Sequence, residues 1–176
     1  MRKDTGQIFR IEDYRPSDFI IPTTRLTFEL ADDATRVTAE LEIEWGDDAS
    51  ANAPLVLDGD ELVLESLAID GKDADASSFE ITPQRLTIAR PPQTKSFRLT
   101  ITTRLDPTRN GTLMGLFRSN GVYCTQCEPE GFRRITYFVD RPDMLSVYTV
   151  RIEADRKEAP ILLSNGNLIE SGTLDG

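Results

Sequence analysis

With 176 residues, 39% of them hydrophobic and 28% charged, the chain has the size and balance of one globular domain. A net charge of −10 offers no basic stripe to nucleic acid and no attraction to an anionic membrane face, and no apolar run reaches the ~18 residues of a membrane span. With no histidine, a nucleophile cannot be paired with an imidazole base, and no G-x-x-x-x-G-K-[ST] loop is present to cradle phosphate.

In chain order, residues 1–17 mix charges around a short apolar patch from Ile8 to Ile11, which reads as an irregular lead-in or a brief strand. Met1-Arg2-Lys3 is basic, but no apolar segment follows, so it does not read as a secretory signal. Leu26, Phe28 and Leu30 alternate with Thr27 and Glu29. The clearest pattern follows, with Val37, Ala39, Leu41, Ile43 and Trp45 alternating with Thr38, Glu40, Glu42 and Glu44. A period of two gives a strand with one apolar and one acidic face; a helix would scatter the same apolar side chains around its axis. The acidic stripe reads as a solvated sheet face or one turned toward another domain, with Arg98 and Arg151 as candidate cross-strand partners.

Residues 46–54 form a loop. Residues 55–57 and 62–69 predict strands divided by Asp58-Gly59, and Asp70-Gly71 turns the chain again. Residues 79–81 and 86–88 predict a hairpin, Pro91-Pro92 a break, and Phe97, Leu99 and Ile101 another alternating strand. Asp106 to Gly111 is a turn region. Short strands at 116–117 and 122–126 flank Asn120-Gly121, a dipeptide suited to tight hairpins. Residues 133–143 are compatible with a strand or a helical turn. Tyr148, Val150, Ile152 and Ala154 mark a late strand, and residues 161–163 and 168–172 flank Asn165-Gly166 as a further hairpin. About ten short strands and no sustained helical pattern predict an all-β fold, an antiparallel β-sandwich or open, barrel-like saddle, with residues 1–176 as a single β domain.

The unusual chemistry is concentrated at residues 121–143. Both cysteines, Cys124 and Cys127, lie here at C-x-x-C spacing. Two thiols fall short of the roughly four ligands of a zinc site, and nearby Pro129 opposes the helix start that a redox pair prefers. They read as free thiols packed as small apolar groups, in a reducing, cytoplasmic setting. If residues 125–128 are extended, Gln126 and Glu128 share one face, and Pro129 then stops the strand. The pair is either a small polar recognition site or a strand-end pair satisfied by arginines. Arg133 and Arg134 are candidates to pair with Glu130, Asp140 or Asp143.

The run Thr125-Gln126-Cys127-Glu128-Pro129-Glu130-Gly131-Phe132-Arg133-Arg134-Ile135-Thr136-Tyr137-Phe138, followed by Asp140-Arg141-Pro142-Asp143, resembles the N-terminal domain of the bacterial aminopeptidase N family, the zinc-dependent, alanyl-preferring aminopeptidases of the gluzincin group. Asp13-Tyr14-Arg15-Pro16-Ser17-Asp18 and Leu162-Leu163-Ser164-Asn165-Gly166-Asn167 extend the similarity over nearly the whole chain. The resemblance implies that Gln126 and Glu128 line the substrate entrance, with Glu128 helping to bind the free amino group of a peptide. It implies no catalytic or metal residue in this chain. The family's His-Glu-x-x-His is absent, so zinc is expected in a separate catalytic domain of the same polypeptide, and peptides are expected as substrates of that whole enzyme. It further implies that the β domain continues for one or two strands beyond Gly176. The competing expectation is a stand-alone β-sandwich binding or interaction module without a catalytic role.

Overall fold

The computed structural model describes residues 10–174. Among these residues eleven strands form three sheets: a six-stranded sheet in the order β11-β1-β2-β8-β4-β5, a three-stranded sheet β3-β7-β6, and the β9–β10 hairpin. The strands are β1 (Phe19–Glu29), β2 (Thr35–Trp45), β3 (Leu55–Asp58), β4 (Val63–Ile69), β5 (Lys72–Asp73), β6 (Phe79–Thr82), β7 (Arg85–Ile88), β8 (Ser96–Leu105), β9 (Gly115–Ser119), β10 (Val122–Gln126) and β11 (Val147–Glu153). The large sheet keeps two edges, β11 and β5, so it is an open layer and not a barrel.

The alternation read in β2 is its burial pattern. Val37, Ala39, Leu41 and Ile43 are completely buried, and Leu99 and Ile101 of β8 lie on the same inner face. Leu55, Leu57, Leu86 and Ile88 of the small sheet close over them in one continuous core. Each such Val, Leu or Ile contributes about 1.5–3 kcal/mol by leaving water, an upper bound because the unfolded chain already buries some of that surface. The outer face is polar. Arg98 lies opposite Glu42 at 3.9 Å, and Arg36 and Arg104 share Glu65 at 2.7 and 3.3 Å. Arg151 does not face the acidic stripe. Its strand lies beyond β1, and its guanidinium pairs with Glu153 of the same strand.

Several sequence expectations are corrected. The Ile8 end of the proposed lead-in strand lies outside the described residues, and Ile11–Asp13 forms a 3-10 turn. β1 starts at Phe19, well before Leu26; a register shift between Ile20 and Thr23, around Pro22, disguises its alternation. β11 pairs parallel to β1, from Thr23↔Val147 to Glu29↔Glu153, so the large sheet is mixed rather than wholly antiparallel. Residues 161–174 contain no strand, although Gly166 takes the left-handed φ of +88° that its turn signal anticipates. Ile161, Leu163, Leu168 and Ile169 are all exposed there, and this segment pairs with no strand among the described residues.

Candidate functional site

The β9–β10 hairpin delivers the motif. Its register, Val122↔Ser119 through Gln126↔Gly115, places Gln126 at the strand end beside Gly115. β10 stops at Gln126, so Glu128 does not share a strand face with it. The chain instead turns through residues 127–131, with the Gly131 N–H donating to the Cys127 carbonyl at 2.8 Å. The Gln126 side chain reaches along this turn, its Nε2 donating to the Glu128 carbonyl at 3.0 Å. The Glu128–Pro129 bond is cis, and Glu130 is left-handed at φ +64°. The two predicted residues are therefore neighbours by a different route: Gln126 braces the backbone of Glu128.

Two glycines make the turn possible. A Cβ on Gly131 would collide with the Gln126 carbonyl oxygen and sit 2.7 Å from Cys127 Cα and 3.1 Å from Gly115 N. Gly115, at φ +72°, has no room either, because its Cβ would lie 2.6 Å from Arg134 Cβ. Three backbone segments are thus stacked with no side chain between them, a packing only glycine permits.

Behind the turn, residues Phe132–Arg134 form a single 3-10 turn. The Arg133 Nε and backbone N–H both donate to Asp140 Oδ2, at 2.8 and 3.1 Å, and its Nη2 donates to the Asp140 carbonyl at 2.9 Å. Glu130 and Asp58 lie 3.6 and 3.8 Å from the same guanidinium. Arg134 pairs with Asp60 and Glu61. Asp143 is held elsewhere, accepting from Arg141 at 2.7 and 2.9 Å and from the Tyr14 hydroxyl at 2.8 Å. Arg133 thus finds two of its expected partners. The three carboxylates at 58, 60 and 61 were missed, because a turn-forming Asp58-Gly59-Asp60-Glu61 carries no local sign of partners more than 70 residues away.

Among the described residues the Glu128 carboxylate has no hydrogen-bond or ion-pair partner, and its side chain is exposed. Both adjacent guanidiniums are already committed to other carboxylates, so an arginine-satisfied strand end does not describe Glu128. Five carboxylates face two guanidiniums in the adjoining cluster, an excess of negative charge behind the turn. Beside it, burial and then the carboxylates of Asp140 and Glu128 push the Cys127 thiol up to about 11. Burial likewise raises Tyr148, whose ring meets Phe132 edge-on at 5.8 Å; Phe132 in turn meets Phe138 at 4.8 Å. Cys124 and Cys127 are free and half-buried, as packed thiols should be. No group of three or more His, Cys, Asp or Glu among the described residues has the geometry to hold a metal, so these residues do not fit a zinc centre.

Residues 21–176 match the peptidase M1 N-terminal domain. The chain belongs to the peptidase M1 N-terminal domain family. It is 53% identical, over its whole length, to 20% of aminopeptidase N from Caulobacter vibrioides, and 40% identical over 93% of its length to 18% of aminopeptidase N from Escherichia coli. The fold agrees with the crystal structure of Legionella pneumophila aminopeptidase A in complex with aspartic acid, at a TM-score of 0.85 and 32% identity, covering 92% of this chain and 19% of that one. This M1 N-terminal domain therefore spans about a fifth of the length of the relatives it matches.

Proposed function

We propose that residues 1–176 form a single β domain of a cytoplasmic zinc aminopeptidase, and that the domain supplies part of the pocket for the amino terminus of a peptide. In this reading Glu128 binds the substrate ammonium, and Gln126 shapes the pocket for the first side chain while bracing the turn. Zinc and the hydrolytic residues belong to the catalytic domain of the same polypeptide, which is also this domain's partner. The carrying observation is the exposed carboxylate of Glu128, without a partner among the described residues, on a turn fixed by its backbone. A peptide α-amine has a pKa of about 8 and is largely cationic at neutral pH, so such a carboxylate selects free amino termini and sets their distance to the scissile bond.

The test is Glu128→Gln in the full-length enzyme, which keeps the shape and removes the charge. A hydrogen bond to a charged group contributes about 1.5–3 kcal/mol, so kcat/KM on an aminoacyl anilide falls about 10- to 150-fold. Unchanged kinetics would remove the role assigned to Glu128.

A further inference from the structure

The Arg134 side chain is 9% exposed, yet its guanidinium is held by carboxylates from a different part of the chain. Asp60 and Glu61 lie in the connection between β3 and β4, and Asp60 also donates its backbone N–H to the Arg133 carbonyl at 2.9 Å. Arg134 Nε is buried without a partner among the described residues, so the two carboxylates alone orient the guanidinium. Glu61 is held at φ +54°, an unfavourable backbone for a residue with a side chain. Such conformations persist where surrounding contacts over-determine them, and the pair with Arg134 is such a contact.

From Arg134 a short path of direct contacts leads to the candidate site. Its N–H donates to the Gly131 carbonyl at 3.1 Å. Its Cβ fills the space that a side chain on Gly115 would need. Gly115 and Gly131 meet backbone to backbone, and Gly131 lies against the Gln126 carbonyl and Cys127 Cα. No flexible side chain intervenes to absorb a displacement. Arg133 is tied separately to Asp140, so the 3-10 turn has a second anchor if the first is weakened.

We infer that the Asp60–Glu61–Arg134 clamp positions the turn carrying Glu128, so that the β3–β4 connection sets the placement of the amine-binding carboxylate without touching substrate. This rests on the assignment of Glu128 to amine binding. Asp60, Glu61 and Arg134 are positioning residues: they fix where a charge sits and perform no chemistry.

A double-mutant cycle in the full-length enzyme tests it. Asp60→Asn with Glu61→Gln keeps the shape of both side chains and removes their charge. A misplacement approaching 1 Å costs up to about 100-fold, and with the Arg133 anchor intact the expected loss in kcat/KM is about 10-fold. In a Glu128→Gln background the same pair of changes should cost less than about 2-fold, because they act through a carboxylate no longer there. The fall in melting temperature that they cause should be equal in both backgrounds, which separates positioning from mere loss of stability. Should the double change prevent folding, Glu61→Gln alone, at a side chain 66% exposed, serves in its place, with an expected loss of about 3-fold against wild type and none against Glu128→Gln. A clamp variant with wild-type kinetics, or one whose full loss persists without the Glu128 charge, overturns the clamp while leaving Glu128 in its role. A kinetically silent Glu128→Gln overturns both.

Discussion

Gly131→Ala probes the backbone stack most directly. The added Cβ would meet the Gln126 carbonyl oxygen, stand 2.7 Å from Cys127 Cα and 3.1 Å from Gly115 N. An ordinary carbon contact is about 3.5–4.0 Å, so the two strands and the turn must separate by roughly 1 Å, and every obstructing atom belongs to backbone. Overpacking of this kind costs about 1–3 kcal/mol, which for a domain this size lowers the melting temperature by about 3–10 °C. The assay is thermal denaturation of the 176-residue chain followed by circular dichroism, beside Gly111→Ala as control. Gly111 has open space where its Cβ would go and no left-handed φ, so that change should be neutral or slightly stabilising. In the full-length enzyme Gly131→Ala should also lower kcat/KM by about 10- to 100-fold, because the displaced segment carries Glu128. A Gly131→Ala chain melting within about 1 °C of Gly111→Ala would refute the close stacking and the functional reasoning built on it.

Two predictions concern ionisation. Cys127, with its thiol pushed up to about 11 by burial and neighbouring carboxylates, should resist alkylation at pH 8, read by mass spectrometry of the labelled peptide. Its protonated form is favoured in the folded state, so its stabilisation is complete below the ordinary thiol range and lost as pH rises toward 11; Cys127→Ala should flatten that alkaline loss. Asp143, held below its ordinary value chiefly by hydrogen bonds from Arg141, contributes stability above the usual carboxylate range and loses it as pH falls through the lowered value; Asp143→Asn should weaken the acid dependence of the melting temperature.

The strands that write their own pattern were legible: Val37 to Ile43 alternates because every second residue is buried, and Asn120-Gly121 closes a hairpin because both Asn120 and Gly121 take positive φ. β1 was half hidden because a bulge near Pro22 breaks the period of two. β11 was legible as a strand, but its parallel pairing with β1 was not, since alternation says nothing of strand direction. At residues 161–172 the pattern of a hairpin is present without the pairing, because alternation and a turn dipeptide describe a preference that only a neighbouring sheet can satisfy. At the site, Gln126 and Glu128 could be named from the motif, but not their geometry. The strand ends two residues earlier than a face shared with Glu128 requires, and the acidic partners of Arg134 come from a loop whose sequence reads only as a turn.

The pairing of β11 with β1 also bears on how the molecule assembles. Thr23 and Val147 are roughly 120 residues apart, and joining them costs about (3/2)RT ln n, some 4 kcal/mol, before any contact repays it. The β9–β10 hairpin needs only the two-residue turn at Asn120-Gly121, and hairpins of that kind close in microseconds. The strand bearing Gln126 can therefore take its own shape early. The sheet edge at β11 and the carboxylates behind Arg134 depend on distant segments meeting, and the rate of that search falls with the sequence separation it must bridge.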